Sequence, residues 1–116
     1  DILTEIRIPK KWAGAKQYFE KVADRETWDF ALVNLAMVAK TSGGKVTDVR
    51  MTCGGVQCTP RRLTSVESLM KGEKIGTEME TLANRVAAQG AKALNYNHFK
   101  IPLMGSLAAR AVRSLA

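Results

Sequence analysis

The sequence of 116 residues is poor in the side chains that mark metal-binding and disulfide-rich proteins. It contains two cysteines, Cys53 and Cys58, and one histidine, His98. A structural zinc site needs four ligands, so these three side chains are too few, and a disulfide framework is not expected in a chain with this much apolar material. We therefore expect two reduced thiols, one in a strand and one in the loop after it, which favours a cytoplasmic location.

Long apolar runs and targeting signals are also missing. No uninterrupted apolar run approaches the roughly 20 residues that cross a bilayer, and no cationic start precedes an apolar stretch as in a secretory signal. The chain begins with Asp1 rather than methionine, from which we expect a piece of a longer polypeptide. Apolar residues make up 46% and charged residues 25%, which indicates one globular domain with a single core.

Acidic residues are absent from the last third of the chain. No Asp or Glu occurs in residues 81–116, and the whole sequence carries a net charge of +7. A basic balance is typical of proteins that bind nucleic acid, anionic cofactors or acidic partner surfaces. The basic residues here are singly spaced and not interleaved with stacking aromatics. This favours a solvated helical surface that docks against an acidic neighbour, with a small basic nucleic-acid-binding α+β domain as the alternative. The cations of this segment are Arg85, Lys92, Lys100, Arg110 and Arg113.

Strand patterns dominate the first half of the sequence. We expect a strand over residues 2–8, which Pro9 ends because proline has no backbone donor for continued pairing. Residues 10–16 are expected to form a linker, and residues 17–22 a second short strand with two aromatic side chains. Residues 23–27 are polar and predict a loop.

A long β-hairpin is expected next. Residues 28–40 form the most apolar stretch, and the Thr-Ser-Gly-Gly at 41–44 supplies the conformational freedom of a hairpin turn. Residues 45–53 are β-branched and partly alternating, so we pair 29–40 with 45–53. Because apolar residues occupy both faces of the first strand, we expect that strand to be buried on both faces.

Helical signals fill the second half of the chain, after a pair of glycines and an expected loop at 59–62. Thr64 and Glu67 have the spacing of a capping box, in which each side chain bonds a free backbone amide at the start of a helix. This predicts a short helix over residues 65–70.

Two further helices complete the chain. The capping-box signature recurs at 77–80 and begins a longer helix, and a final helix is expected over 102–115, since proline is acceptable in a first turn. Strands followed by helices predict an α+β fold, with an antiparallel sheet of three to four strands and two to three helices packed on one face. The apolar stripe of the longer helix is Met79, Leu82, Ala83, Val86, Ala87, Gly90, Ala93 and Leu94, and that of the final helix is Leu103, Leu107, Ala111 and Leu115.

Familiar catalytic motifs are absent. The sequence has no nucleophile elbow, zinc-protease helix, Walker loop or dinucleotide fingerprint. Gly54 and Gly55 follow a strand and give a weak phosphate-loop signal, but a tight turn or bulge that needs a positive φ is favoured. His98 has no visible partner for general-base chemistry, which favours a surface or helix-capping histidine.

A charged cluster follows the second predicted strand. Asp24, Glu26 and Asp29 surround Arg25, which favours a loop held by ion pairs. Lys21 comes after two aromatic residues in the strand. The pattern alone indicates a solvent-facing lysine, with contact to an anion or a flavin edge as the alternative.

Taken in order, several segments resemble one known family. Residues 18–33 fit its pattern aromatic-x-Lys-x3-Arg-x3-Asp-apolar-Ala-x-Val, in which Lys21, Arg25 and Asp29 hold the polar positions. The set is similar to the C-terminal domain of the FAD-binding (medium) subunit of molybdenum hydroxylases, the family of xanthine dehydrogenase and carbon monoxide dehydrogenase, and its tail resembles the bacterial aldehyde-oxidoreductase branch. The other matching segments are LTEIRIP at 3–9, GGKVTDVR at 43–50, CGGVQCTPRR at 53–62, ESLMKG at 67–72, NHFKIPL at 97–103 and LAARAV at 107–112.

The resemblance implies part of an FAD-dependent oxidoreductase. It implies a flavoprotein C-terminal domain over 17–116, with 1–16 as the segment that leaves a preceding flavin domain. In such enzymes substrate is hydroxylated at a molybdenum cofactor in another subunit, and electrons pass through [2Fe-2S] clusters to FAD and an external acceptor. FAD is then bound mainly by upstream domains absent from this chain, molybdopterin and the clusters are expected on partner subunits, and this chain is not expected to catalyse a reaction alone.

The resemblance also assigns candidate site residues. By position in the family pattern, Lys21 and Arg25 lie nearest the isoalloxazine ring, where a cation stabilises negative charge on reduced flavin. Trp28 stands at a position where the family varies and is assigned only to packing. No catalytic residue and no metal ligand is assigned, because two cysteines are too few to hold an iron–sulfur cluster.

Overall fold

The computed structural model describes residues 1–116 and shows a four-stranded antiparallel sheet with three helices. The strands pair in chain order, so the sheet is a meander. The predicted α+β architecture, strands first and helices after, is confirmed. The strands are β1 (Lys16–Val22), β2 (Val33–Ser42), β3 (Lys45–Gly54) and β4 (Arg61–Arg62), and the helices are α1 (Thr64–Met70), α2 (Thr77–Ala87) and α3 (Lys100–Arg113).

The predicted hairpin forms the centre of the sheet. Gly43 and Gly44 alone connect β2 to β3, with φ angles of 56° and 74°. Two successive positive φ angles match the right-handed twist of the flanking strands and favour glycine. The pairing shifts after Lys40, where the Thr47 hydroxyl donates to the Lys40 carbonyl at 3.1 Å.

Only one face of the hairpin is buried, so the prediction that β2 is buried on both faces is wrong. Leu35 and Met37 are buried, whereas Ala36 between them is exposed. Successive strand residues point to opposite faces, and the helices here cover one of them. The strand also begins at Val33, so residues 29–32 belong to the loop before it. The buried face of the hairpin consists of Val33, Leu35, Met37, Ala39, Val46, Val49, Met51 and Cys53.

Two of the three helices pack directly against this face, and the third packs on those two. α1 packs on β3 and α3 packs on β2, while α2 packs on α3 and α1. α2 and α3 cross closely at Gly105, where a Cβ atom would lie 2.7 Å from the backbone oxygen of Asn84. The final helix begins at Lys100 rather than at residue 102, and Leu107, the centre of its predicted stripe, is fully buried. None of the helices has the length and hydropathy that a bilayer crossing needs.

Glu67 does not form the predicted capping box. Its Oε1 accepts the backbone N–H of Met51 at 2.9 Å and Nε–H of Arg62 at 3.0 Å, and Arg62 also donates to its Oε2. No side chain caps α1. Glu67 is buried, with 7% of the residue exposed, and its carboxylate joins α1 to two strands. A buried charge is stable only with such partners.

Arg61 and Arg62 form a short fourth strand where a loop was predicted. They pair with Cys53 and Thr52, and the N–H of Leu63 donates to the carbonyl of Met51 at 2.9 Å. The prediction failed because two residues carry no readable alternation. Their strand conformation comes from tertiary contacts, among them the ion pair of Arg62 with Glu67.

The predicted strand over residues 2–8 is wrong. These residues are exposed and pair with no strand, because alternation makes a strand only where another edge accepts its hydrogen bonds. The expected linker contains a 3₁₀ turn, Lys10–Trp12. Its Trp12 ring lies 5.0 Å from the Lys11 ammonium and 5.7 Å from the Arg50 guanidinium, and it borders the face of the sheet that the helices leave open.

The longer helix stops earlier than its apolar stripe predicts. α2 ends at Ala87, Gly90 has a φ angle of 77°, and Leu94 is exposed. A left-handed glycine ends a helix readily, so the apolar residues after it do not continue the buried face. No side chain caps the start of α2, and Glu80 pairs with Arg113 of α3 instead.

The close crossing at Gly105 gives a test of the helical packing. Replacing Gly105 with Val places branched carbons against the Asn84 backbone, and we expect the free energy of unfolding to fall by about 2–4 kcal/mol. Ala109→Val, one turn along the same helix and partly exposed, adds the same side chain beside an open pocket between α2 and α3 and should cost under about 1 kcal/mol. Urea denaturation measures both, and equal losses would contradict the packing at Gly105.

Candidate functional site

The candidate site is the loop that joins β1 to β2, residues 23–32, together with Lys21 at the end of β1. Here the polypeptide leaves the first strand, turns, and returns where the N–H of Leu32 donates to the carbonyl of Val22 at 2.8 Å. Lys21 pairs in register with Asn34, so the loop begins and ends at one end of the sheet. We call residues 23–32 the β1–β2 loop.

Asp29 organises this loop. Its Oδ2 accepts the backbone N–H groups of Asp24 and Arg25, each at 3.0 Å, and its Oδ1 lies 3.9 Å from the Arg25 guanidinium. The predicted loop held by ion pairs is therefore found for Asp29 and Arg25. Two charge-assisted hydrogen bonds from the backbone contribute more order than the distant ion pair, because exposed ion pairs stabilise little.

The two cations assigned by the family pattern both bond to this loop. Lys21 Nζ donates to the Asp29 carbonyl at 2.5 Å, and Arg25 Nη2 donates to the Trp28 carbonyl at 2.6 Å. Each group has further donors that these single bonds leave free. Both side chains are exposed, so the loop holds two positive charges at the surface of one end of the sheet.

Two aromatic rings of the same loop face solvent. Trp28 is 94% exposed and Phe30 is 93% exposed, which contradicts the assignment of Trp28 to packing. The φ angle of Trp28 is 52°, and it is the only residue other than glycine with a positive φ. A bulky residue in this region is strained, and such strain is held by surrounding structure. Here the bonds around Asp29 supply that support.

The loop is anchored to the rest of the molecule through Gly55. A Cβ atom on this residue would lie 3.0 Å from the carbonyl oxygen of Leu32 and 3.1 Å from that of Ala31, and its φ is 76°. The carbonyl of Gly55 in turn accepts from Lys100 Nζ at 2.7 Å. Gly54 ends β3 and Gly55 turns the chain after it with a positive φ, as favoured, and Gly55 joins the β1–β2 loop to the first turn of α3.

The basic C-terminal segment is only partly free to meet a partner. Arg110 is paired with Glu20 of β1, and Arg113 with Glu80 of α2. Tyr18 also donates to Glu20, and burial together with that carboxylate raises the pKa of Tyr18 to about 12. Acids from the first 80 residues therefore compensate part of the charge.

His98 and the cysteines lie apart from the loop. His98 is exposed in the segment before α3, Cys53 is buried in β3 and Cys58 is exposed in the loop after it. The predicted free thiols, one in a strand and one in a loop, are found. Burial raises the pKa of the Cys53 thiol to about 11, against a smaller lowering by Arg61. Nowhere do three His, Cys, Asp or Glu side chains converge as a metal site requires.

A comparison with protein families decides what this domain is. Residues 17–115 match the CO dehydrogenase flavoprotein C-terminal domain. The chain belongs to this family. The match covers β1 from its second residue and all of the other strands and helices, so the resemblance seen in the sequence is confirmed, and the nucleic-acid alternative is not favoured.

Two relatives are named as a medium chain and a medium subunit. The chain is 30% identical over 90 residues to the glyceraldehyde dehydrogenase medium chain of Sulfolobus acidocaldarius, covering 77% of this chain and 31% of that one. It is 30% identical over 96 residues to the nicotine 6-hydroxylase medium subunit of Paenarthrobacter nicotinovorans, covering 83% and 32%. The chain thus spans about a third of the length of these relatives.

Solved structures share the fold. Carbon monoxide dehydrogenase from Hydrogenophaga pseudoflava superimposes with a TM-score of 0.77 at 27% identity, over 87% of this chain and 36% of that one. Quinoline 2-oxidoreductase from Pseudomonas putida 86 gives 0.78 at 19% identity, over 87% and 36%. These likenesses confirm an α+β domain of the family's type.

Sequence reasoning missed the two exposed rings. Phe30 was placed in a buried strand over 29–40, and Trp28 was assigned to packing, because apolar residues are continuous from 28 to 38, apart from Asp29 and Asn34. The signal against that placement was Asp29 itself, since a carboxylate between two aromatics is more typical of a capped turn than of a buried strand.

The role of Asp29 in ordering the loop is testable. Asp29→Ala removes the acceptor for two backbone N–H groups, so the amides of Asp24 and Arg25 should exchange with solvent about tenfold faster. Glu26→Ala, which removes a neighbouring acid that bonds nothing in the loop, is the control and should leave both rates unchanged. Hydrogen exchange by NMR measures them. Unchanged rates in Asp29→Ala would show that the loop is ordered without this carboxylate.

The burial of Cys53 makes a second prediction. With a pKa of about 11, roughly one thiol in a thousand is ionised at pH 8, and the side chain is also covered. A disulfide reagent should therefore modify one thiol per folded chain and two after denaturation. Cys58→Ser should leave the folded chain unreactive. Rapid modification of folded Cys58→Ser would contradict the buried position of Cys53.

Proposed function

We propose that this chain acts as the C-terminal domain of the flavoprotein (medium) subunit of a molybdenum-containing hydroxylase or dehydrogenase. Residues 17–116 form the domain, and residues 1–16 connect it to a preceding FAD-binding domain. The family match over 17–115 and the third of each relative's length that the chain spans support this division. The exposed residues 1–9, which lie outside every helix and strand, suit a connecting segment.

The observation that carries the proposal is the β1–β2 loop. Together with Lys21 of β1, it presents two cations and two aromatic rings to solvent, and hydrogen bonds to the loop backbone hold both cations in place. Exposed aromatic surface of this size is uncommon unless another molecule covers it. Cations beside planar rings suit a planar ligand that carries negative charge.

These residues fit one side of a flavin, not a whole FAD site. Trp28 and Phe30 offer faces for a planar ring, and Lys21 and Arg25 offer free N–H donors at the same place. The glycine-rich phosphate loops that hold a dinucleotide are absent from this sequence. We therefore assign most FAD contacts to the upstream domains, and to this chain the closing of the site over the ring.

Lys21 and Arg25 act electrostatically in this proposal. When bound, FAD supplies the redox chemistry that carries electrons from [2Fe-2S] clusters to an external acceptor. Two fixed positive charges near the ring stabilise negative charge there without reorganisation, because their positions are already set by bonds to the loop backbone. The aromatic side chains exclude water from the same place, which strengthens that interaction.

The partners follow from the same assignment. We propose that the domain packs against the upstream FAD-binding domain, that molybdopterin and the iron–sulfur clusters lie on partner subunits, and that the chain is not catalytic alone. Similar proteins are named for glyceraldehyde and nicotine, so the substrate is set elsewhere in such assemblies. Two free cysteines support a cytoplasmic location.

Lys21→Ala in the complete flavoprotein subunit tests the proposed role. Removing this charge should shift the flavin absorbance spectrum, lower the flavin reduction potential and change the rate of reoxidation. A loss of about 1–2 kcal/mol of charge stabilisation is expected for a partly desolvated ammonium.

Lys40→Ala is the matched control. Lys40 lies on β2 at the other end of the sheet, so its removal changes the net charge equally and should leave the flavin unchanged. If Lys21→Ala leaves absorbance, potential and reoxidation rate at wild-type values, the flavin-facing role of Lys21 is wrong.

A further inference from the structure

A cationic cavity lies beside the β1–β2 loop. It has a volume of about 150 Å³ and opens between the loop after β3, the segment after α2 and the first turn of α3. No carboxylate borders it. Its principal side chains are Arg61, Lys92, Lys100 and Asn97, with Val56 and Met104 as apolar walls.

The three cations of this cavity have no acidic partner within the chain. Arg61, Lys92 and Lys100 lie more than 4.0 Å from every carboxylate, whereas Arg110 and Arg113 are each paired with one. Lys100 Nζ donates to the Gly55 carbonyl at 2.7 Å, which fixes the ammonium and leaves two of its three N–H groups free. The cavity therefore concentrates positive charge that nothing in the domain neutralises.

Asn97 adds a neutral donor to the same space. Its Oδ1 accepts the N–H of Leu94 at 2.6 Å, which orients the side chain and leaves its amino group unbonded. A guanidinium, two ammonium groups and an amide donor surround the opening, and none of these groups accepts a hydrogen bond there.

We propose that this cavity binds the phosphate group of a small anionic ligand. A phosphate offers several acceptor oxygens and up to two negative charges, which matches a set of donors that contains Arg and Lys and lacks acids. The cavity volume suits a phosphate or diphosphate group rather than a whole nucleotide, so any attached organic part extends out of the opening.

The cavity lies next to the β1–β2 loop through Gly55. Gly55, whose carbonyl binds Lys100, packs against Ala31 and Leu32 of the β1–β2 loop. A phosphate-bearing molecule held in the cavity would therefore extend along the same end of the sheet as the exposed aromatic rings. The proposed anion site follows from the residues that line the cavity and does not depend on the proposed flavin contact.

Titration of the chain with inorganic phosphate, pyrophosphate and ADP, each at constant ionic strength, tests the site. We expect saturable binding by calorimetry, with NMR shifts confined to residues around Lys92, Asn97 and Lys100. Arg61→Ala and Lys92→Ala should each weaken binding about tenfold, a factor that corresponds to 1.4 kcal/mol. Arg85→Ala is the control, because Arg85 is also an unpaired exposed cation but does not line the cavity.

The three probes separate the sources of the phosphate. Equal affinity for inorganic phosphate and ADP supports a site for a single phosphate, and binding of pyrophosphate or ADP alone supports a site for a diphosphate. Absence of saturable binding of all three probes in the millimolar range would overturn the proposal. So would equal weakening by Arg85→Ala, which would reduce the effect to net charge.

Discussion

One-sided burial of the central hairpin is the constraint on which the rest of this structure depends. β2 and β3 direct their buried apolar side chains to α1 and α3, and the opposite face is bordered by Trp12 of the 3₁₀ turn and by Ile8. The side chains of β1 must follow the same alternation, so Tyr18 turns to the core while Phe19 and Lys21 turn away from it. The end of this open face, where β1 leaves the sheet, is where the exposed cations and rings are found. The packing of the core thus determines which surface remains available for a partner.

Hydrogen bonds and ion pairs connect the helices to the sheet and to each other. The carboxylate of Glu67 joins α1 to β3 and to Arg62 of β4, and Glu20 and Glu80 hold α3 through Arg110 and Arg113. The Glu20 and Glu80 pairs connect acids of the first 80 residues to the basic end of the chain. The net charge of +7 is therefore unevenly distributed over the surface. Four of the cations without an acidic partner, Lys21, Arg61, Lys92 and Lys100, lie around the β1–β2 loop and the neighbouring cavity.

The order of elements could be predicted from the sequence because it rests on local signals. The glycine pair of the hairpin turn and the 3.6-residue spacing of α3 each specify their element within a few residues. The wrong predictions have a common cause, which is that a sequence pattern does not show which other part of the chain packs against or pairs with a segment. Residues 2–8 alternate but have no strand edge to pair with, and β2 has continuous apolar residues but only one covered face. Glu67 bonds Met51 and Arg62 instead of the amides at the start of its helix. In the site, Lys21 and Arg25 came from a family pattern, but the exposure of Trp28 and Phe30 required the structure.

Fluorescence of Trp28 in the complete flavoprotein tests the central claim most directly, namely that this loop closes over the flavin. Trp12→Phe leaves Trp28 as the only tryptophan of this chain, and replacing any tryptophan of the upstream domains isolates its signal. The account predicts that adding FAD to the apoprotein quenches Trp28 emission and protects it from acrylamide, since the ring passes from solvent to contact with the flavin. Emission and acrylamide quenching that stay the same with and without FAD would contradict it.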